Sequence, residues 1–187
     1  NNQYPGIAIL MKSTADLIKN KISNITYSGI CCRGAKHVKI IKADISNIKE
    51  CGVSVSDTKK CVIKHSNIRK CNIAAVESYN KSKVYVIENE ISDLNEYGFL
   101  VYTSGYMKAK RNQISNVKKT MAKLFYKGGG EFVDNQLQDC PQQKISETTA
   151  EYFFSGNSNF PSVTNSQEKV TDSVIFEDDN VDCNTLC

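Results

Sequence analysis

Ile22-Ser23-Asn24-Ile25 is repeated almost letter for letter as Ile45-Ser46-Asn47-Ile48. The phrase returns as His65-Ser66-Asn67-Ile68, Ile91-Ser92-Asp93-Leu94, Ile114-Ser115-Asn116-Val117 and Leu137-Gln138-Asp139-Cys140, so that the five successive spacings are 23, 20, 26, 23 and 23 residues. A period of this size marks a repeat architecture, in which each unit buries its apolar face only against its neighbours.

Each phrase is followed within a few residues by a short alternating stretch, often opened by glycine: Gly29-Ile30-Cys31-Cys32, Gly52-Val53-Ser54-Val55, Asn72-Ile73-Ala74-Ala75, Gly98-Phe99-Leu100-Val101 and Met121-Ala122-Lys123-Leu124. Gly6-Ile7-Ala8-Ile9 fits as an earlier member, so the chain is expected to begin inside a longer stack. Alternation of apolar and polar residues is what a strand with one buried face requires. A second strand follows a turn, at Val38 and Ile40, Cys61 and Ile63, Val84 and Val86, Met107 and Ala109, and Phe132; the repeated phrase is the third.

Three strands in about 23 residues leave no room for a helix, and a four-stranded propeller blade needs about 40 residues. The prediction is an all-β solenoid, a right-handed parallel β-helix of six to seven coils with three short strands per coil and successive coils about 4.8 Å apart. Ile7, Ile30, Val53, Ile73, Phe99 and Ala122 are predicted as one inward file, with Ile9, Cys32, Val55, Ala75, Val101 and Leu124 beside it. Asn24, Asn47, Asn67, Asp93, Asn116 and Asp139 fall where each coil turns. Asn tolerates left-handed backbone, and its amide bonds to the amide one coil above, so this file reads as a structural ladder. Asn20, Asn89, Asn112 and Asn135 form a second one.

In these phrases the chain resembles the parallel β-helix repeat family, whose members include pectate lyase-like enzymes, polysaccharide epimerases, phage tailspikes and carbohydrate-binding modules. The resemblance covers residues 6 to 140. It implies the fold and leaves activity open, because one fold hosts many functions. It also implies that any glycan would lie along the outside of one sheet.

Charge divides the chain. Residues 1 to 140 carry 22 Lys and Arg against 12 Asp and Glu, a net of +10, while residues 141 to 187 carry 2 against 8, a net of −6. The expected organisation is a solenoid over 1–140 and an acidic C-terminal tail over 141–187, partly packed on the last coil through islands such as Tyr152-Phe153-Phe154 and Val174-Ile175-Phe176. Mean hydropathy is −0.39 and no apolar run approaches the roughly 18 residues of a membrane span. A basic body favours anionic polymers by long-range attraction. Without a nucleic-acid motif or tryptophan, acidic polysaccharide is the expected partner rather than nucleic acid. A protein subunit is the alternative partner, and self-assembly of basic body with acidic tail a third reading.

The eight cysteines are an even number, which fits an extracellular or surface setting. Cys183 and Cys187 are disulfide candidates with each other or with Cys140, and Cys51 and Cys71 are placed at one phase of neighbouring coils. No zinc spacing is present. Arg33, Tyr79, Tyr102, Lys123 and Tyr126 are the candidate ligand-binding residues. Asp57 and Glu77, placed at one offset of adjacent coils, would with Arg33 and Tyr102 form a candidate uronate site. Paired carboxylates there would hold Ca²⁺, while Arg or Tyr removes a proton; no other cofactor is expected. Against this stands the plain reading of both acids as solvated turn residues. His65 is placed inward, where other coils have isoleucine. The expected function is therefore a rigid binding module, non-catalytic as given, with a lyase or epimerase of uronic acid polymers and a purely structural fibre segment as alternatives.

Overall fold

The computed structural model describes residues 4–141, 144–146 and 152–157. The first coil contains β1 (Ile7–Ile9), β2 (Thr14–Ile18) and β3 (Lys21–Ile25), and the second β4 (Ile30–Arg33), β5 (His37–Ile41) and β6 (Asp44–Ile48). The third has β7 (Val53–Ser56), β8 (Lys60–Lys64) and β9 (Asn67–Cys71), and the fourth β10 (Ala74–Tyr79), β11 (Lys83–Ile87) and β12 (Glu90–Leu94). The fifth has β13 (Tyr97–Tyr102), β14 (Tyr106–Lys110) and β15 (Gln113–Val117), and the sixth β16 (Thr120–Phe125), β17 (Gly129–Val133) and β18 (Gln136–Gln138). Beyond Cys140, β19 (Lys144–Ser146) and β20 (Tyr152–Ser155) add to the stack.

Every pairing is parallel, and the strands sort into three sheets: β1-β4-β7-β10-β13-β16-β19, β2-β5-β8-β11-β14-β17-β20 and β3-β6-β9-β12-β15-β18. The protein is thus an all-β parallel solenoid, as expected. The register is more regular than the repeated phrase. Ile22 pairs with Ile45, Ile45 with Ile68, Ile68 with Ile91, Ile91 with Ile114 and Ile114 with Leu137, a uniform 23 residues. The third copy of the phrase is therefore Ile68-Arg69-Lys70-Cys71, not His65-Ser66-Asn67-Ile68.

This shift of three residues corrects several expectations. Lys70 occupies the corner in place of Asn67, which instead opens β9 and pairs with Asp44 and Glu90. Val76 and Ser78 take the inward places expected for Ile73 and Ala75. His65 is not inward: its side chain is exposed at a left-handed corner (φ 51°), with Nε2 3.6 Å from a Glu88 carboxylate oxygen. Cys51 and Cys71 belong to different files, since Cys71 pairs with Ile48, and both are free thiols. Cys140 is also free, and Cys183 and Cys187 lie outside the described residues, as do Val174-Ile175-Phe176 and the acids that follow.

The core is a set of aliphatic columns. Ile30, Val53, Val76, Phe99 and Ala122 form one and Ile45, Ile68, Ile91 and Ile114 another, all buried. Each fully buried Ile or Val contributes roughly 1.5–3 kcal/mol. On the second sheet the column of Val86, Ala109 and Phe132 continues to Phe154, whose ring stacks on Phe132 at 4.7 Å.

Two kinds of ladder hold the corners. Asn24, Asn47, Lys70, Asp93, Asn116 and Asp139 all have φ between 51° and 59°, and their side chains are exposed. The inner ladder is buried. Its Asn89, Asn112 and Asn135 accept the backbone N–H of Ser66, Asn89 and Asn112 at 2.9–3.0 Å, and Asn157 accepts that of Asn135. Lower down the amides give way: Ser66 Oγ accepts the N–H of Ala43, and Asn20 Oδ1 has no partner.

Candidate functional site

Alternation puts every second residue of a strand outside, so each sheet presents vertical files of side chains. On the first sheet one outer file is Arg33, Ser56, Tyr79, Tyr102 and Phe125, and the next is Cys31, Ser54, Glu77, Leu100 and Lys123. Arg33, Tyr79 and Tyr102 thus stand in line, with Lys123 in the adjoining file. Tyr126 follows at the corner, edge-on to Phe125 with ring centres 5.0 Å apart. The Tyr79 and Tyr102 rings are parallel within 2° at 5.0 Å, and Tyr102 and Phe125 within 11° at 4.9 Å. Their facing surfaces cover one another. Lys123 Nζ lies 5.2 Å from both the Tyr97 and Phe125 ring centres.

The carboxylate of Glu77 is the polar centre of this face. It accepts the hydroxyls of Ser54 at 2.6 Å and of Tyr102 at 2.9 Å. Burial, then the charge and hydrogen bond of Glu77, push the Tyr102 phenol well above its ordinary range. Tyr102 is therefore a donor to a carboxylate, held protonated, and not poised to remove a proton. Glu50 accepts the Ser28 hydroxyl at 3.4 Å, and burial, with the charge of Glu77, raises its carboxyl. Burial and then Glu50 raise the Tyr27 phenol.

The expected pairing of Asp57 with Glu77 is not present. Glu77 pairs with Ser54 in β7, so its side chain lies on the sheet face. Asp57 sits at the following corner (φ 51°), where Asn80 Nδ2 donates to it at 3.5 Å. The two-carboxylate arrangement considered for Ca²⁺ is lost with that pairing. Arg33 is three coils from Tyr102 in the same file, roughly 14 Å at the spacing of stacked strands. Among the described residues no group of three His, Cys, Asp or Glu side chains converges as a metal would require.

The second sheet carries a different chemistry. Its strands contribute Lys39, Lys60, Lys64, Lys83, Lys108 and Lys110 against Asp16 and Glu131. The corners leading into it add Lys12, Lys36, Lys59, Lys81 and Lys127 against Asp57. This side thus holds eleven of the 22 cations of residues 1–140 and three of the 12 acids, a net of +8 out of +10. The five corner lysines are exposed and have no ion pair among the described residues. Tyr85 and Tyr106 are interleaved. Lys60 Nζ lies 5.6 Å from the Tyr85 ring centre, and the Tyr106 hydroxyl donates to Glu131 at 2.5 Å.

Sequence reasoning found the net charge of residues 1–140 but not the ridge on which it gathers, and it missed Glu50. The signal was available: laying the lysines on a strict 23-residue period brings Lys36 over Lys59, Lys12 in line with Lys81 and Lys127, and Lys60 beside Lys83.

Among known families, the model described as the right handed beta helix region matches residues 1–114. Comparison with curated proteins and with solved structures gives no match. The coils, the three parallel sheets and this match over more than half of the chain agree: the chain belongs to the right-handed β-helix family.

Proposed function

We propose that this protein is a rigid binding module that holds an anionic polysaccharide along the outside of the second sheet and the lysine corners leading into it. The observation that carries the reading is the concentration there of +8 of the body's net +10. Each of the six coils, about 4.8 Å apart, places at least one lysine on this side, and charge spread along an axis in this way matches an extended acidic glycan better than a compact partner. Lys36 and Lys59 stack in adjacent coils, with Lys60 and Lys83 on the adjoining strands. Tyr85 and Tyr106 supply apolar surface between the charges. The stack of coils keeps the row in place before the ligand arrives, which lowers the ordering cost of binding.

The test is retention on immobilised polygalacturonate, heparin and double-stranded DNA at low and high salt. Binding to one of the two glycans that weakens as salt rises, and falls roughly tenfold or more in a Lys36→Gln/Lys59→Gln/Lys60→Gln/Lys83→Gln variant, supports the reading. Retention on DNA alone, or an unchanged variant, refutes it.

A further inference from the structure

The corner between the third and first sheets is grooved, with a cavity of about 430 Å³. Its walls are two files two residues apart. One is Asn47, Lys70, Asp93 and Asn116; the other is Lys49, Asn72, Asn95 and Lys118. The floor is apolar, made by buried Ile48 and Leu94.

In the upper half of the groove the polar groups satisfy one another. Asn116 Nδ2 donates to Asp93 at 2.7 Å, and Lys118 Nζ donates to Asn95 Oδ1 at 2.6 Å. Asn95 Nδ2 in turn donates to Asn72 Oδ1 at 2.9 Å. That last bond occupies the Asn72 amide oxygen and leaves its Nδ2 without a hydrogen-bond partner among the described residues. The lower half is different. The side chains of Lys49 and Lys70 have neither a hydrogen bond nor an ion pair among the described residues, and Asn47 Nδ2 is used on Asn24 at 3.3 Å. Lys70 interrupts the corner ladder at the coil where this occurs. Two ammonium groups and one amide thus line a single concavity, in neighbouring coils and adjoining files, and neither ammonium group is in an ion pair among the described residues, Asp93 one coil above Lys70 included.

We propose that this groove binds one oxyanion, the carboxylate or sulfate of an acidic sugar, held by Lys49, Lys70 and the Nδ2 of Asn72. The site is separate from the lysine ridge on the second sheet and uses none of its residues. A ligand there needs one charged group rather than a long acidic chain, because the Asp93 carboxylate one coil above Lys70 repels a second anionic group.

Calorimetric titration of the whole chain with a short oligogalacturonate, a heparin-derived oligosaccharide of similar length and a neutral oligosaccharide tests this. Binding of at least one of the anionic sugars and none of the neutral one is expected, the first two arms telling carboxylate from sulfate. Lys49→Gln/Lys70→Gln should weaken binding roughly tenfold or more, and Asn72→Asp, which swaps a donor for a charge of the wrong sign, at least as much. Lys21→Gln/Lys42→Gln, at exposed lysines outside both the groove and the ridge, should leave it unchanged, and Lys36→Gln/Lys59→Gln reads the ridge separately. All these side chains are exposed, and unchanged circular dichroism confirms that the variants fold. The proposal is overturned if neither anionic sugar binds, if the neutral one binds equally, or if the Lys49/Lys70 change has no effect. Loss in the Lys36/Lys59 variant alone would overturn it while leaving the ridge reading intact.

Discussion

Tyr102 donates its hydroxyl hydrogen to the carboxylate of Glu77 at 2.9 Å, although 25 residues separate them in sequence. The pair exists because Leu100 stands directly over Glu77 and Tyr102 over Tyr79, so the phenol reaches diagonally down one coil. Tyr102→Phe keeps the ring stack and removes the bond, and should cost about 1 kcal/mol in urea unfolding. Glu77→Leu in the same background should then recover part of that loss, because a half-buried carboxylate left with the Ser54 hydroxyl alone goes too.

The same contact sets an alkaline limit. The folded chain binds the Tyr102 proton more tightly than the unfolded chain, whose phenol has the ordinary value of 10.0, and burial with Glu131 does the same at Tyr106. A raised folded value means that stability is full below about pH 10 and falls as pH climbs beyond it, since unfolding lets the phenol ionise. Spectrophotometric titration should show both tyrosines ionising only with loss of the β-sheet circular dichroism signal. Titration of all tyrosines in the folded state would contradict this.

On the acid side Glu88 has the opposite sign. The hydrogen bond from Arg111, with the charges of Lys64 and His65 nearby, holds its carboxyl below the ordinary 4.5. Its contribution is present above that value and is lost as pH falls through the lower folded one. The group is partly exposed, so Glu88→Gln should change stability by only about 0.5 kcal/mol at neutral pH. Its clearer effect is a shallower acid limb in a pH series of melting temperatures.

Buried and exposed ladders should differ sharply. Asn112 is fully buried; its Oδ1 accepts the N–H of Asn89, and its Nδ2 donates to Val86 O and Asn135 Oδ1. Asn112→Ala should cost roughly 3 kcal/mol, because those backbone groups lose their partners inside the core. Asn116→Ala in the exposed ladder should cost under about 1 kcal/mol. Similar melting temperatures for the two variants would undo the distinction.

Close approach of coils gives a further measurement. Gly98 has room for no side chain, since a Cβ there would lie 2.6 Å from the Met121 carbonyl oxygen in the next coil. Gly98→Ala should therefore destabilise by about 1–3 kcal/mol. A wild-type denaturation midpoint would show that the coils part more easily than their spacing suggests.

How much of this was legible in sequence depended on which side of the chain carried the signal. The three sheets, the coil period and nearly all of the core could be read, because inward positions tolerate only aliphatic or small residues and so repeat faithfully. The third coil misled because its Ser66-Asn67-Ile68 copies the polar part of the phrase, and an exposed corner constrains that part weakly. Lys70 adopts the same left-handed angle as the asparagines above and below it, at φ 55°. The aliphatic file of Ile45, Ile68 and Ile91 fixes the true phase. The candidate face suffered from the same slip: Glu77 was placed at the offset of the turn residue Asp57, although it lies on the sheet. Tyr79, Tyr102 and Lys123 share one face with Tyr126 at its corner, and Arg33 lies in the same file three coils from Tyr102, but the cation count by face required the correct register.

The uniform 23-residue register reaches beyond packing. A winding of fixed contour length acts as a gauge: copying residues 90–112 in tandem would carry every column through the new turn and lengthen the rod by about 4.8 Å. Adding one residue within a strand would instead swap inside for outside along the rest of that turn. Such a chain grows or shrinks in whole windings, and any polymer laid along its flank would be measured out in the same increments.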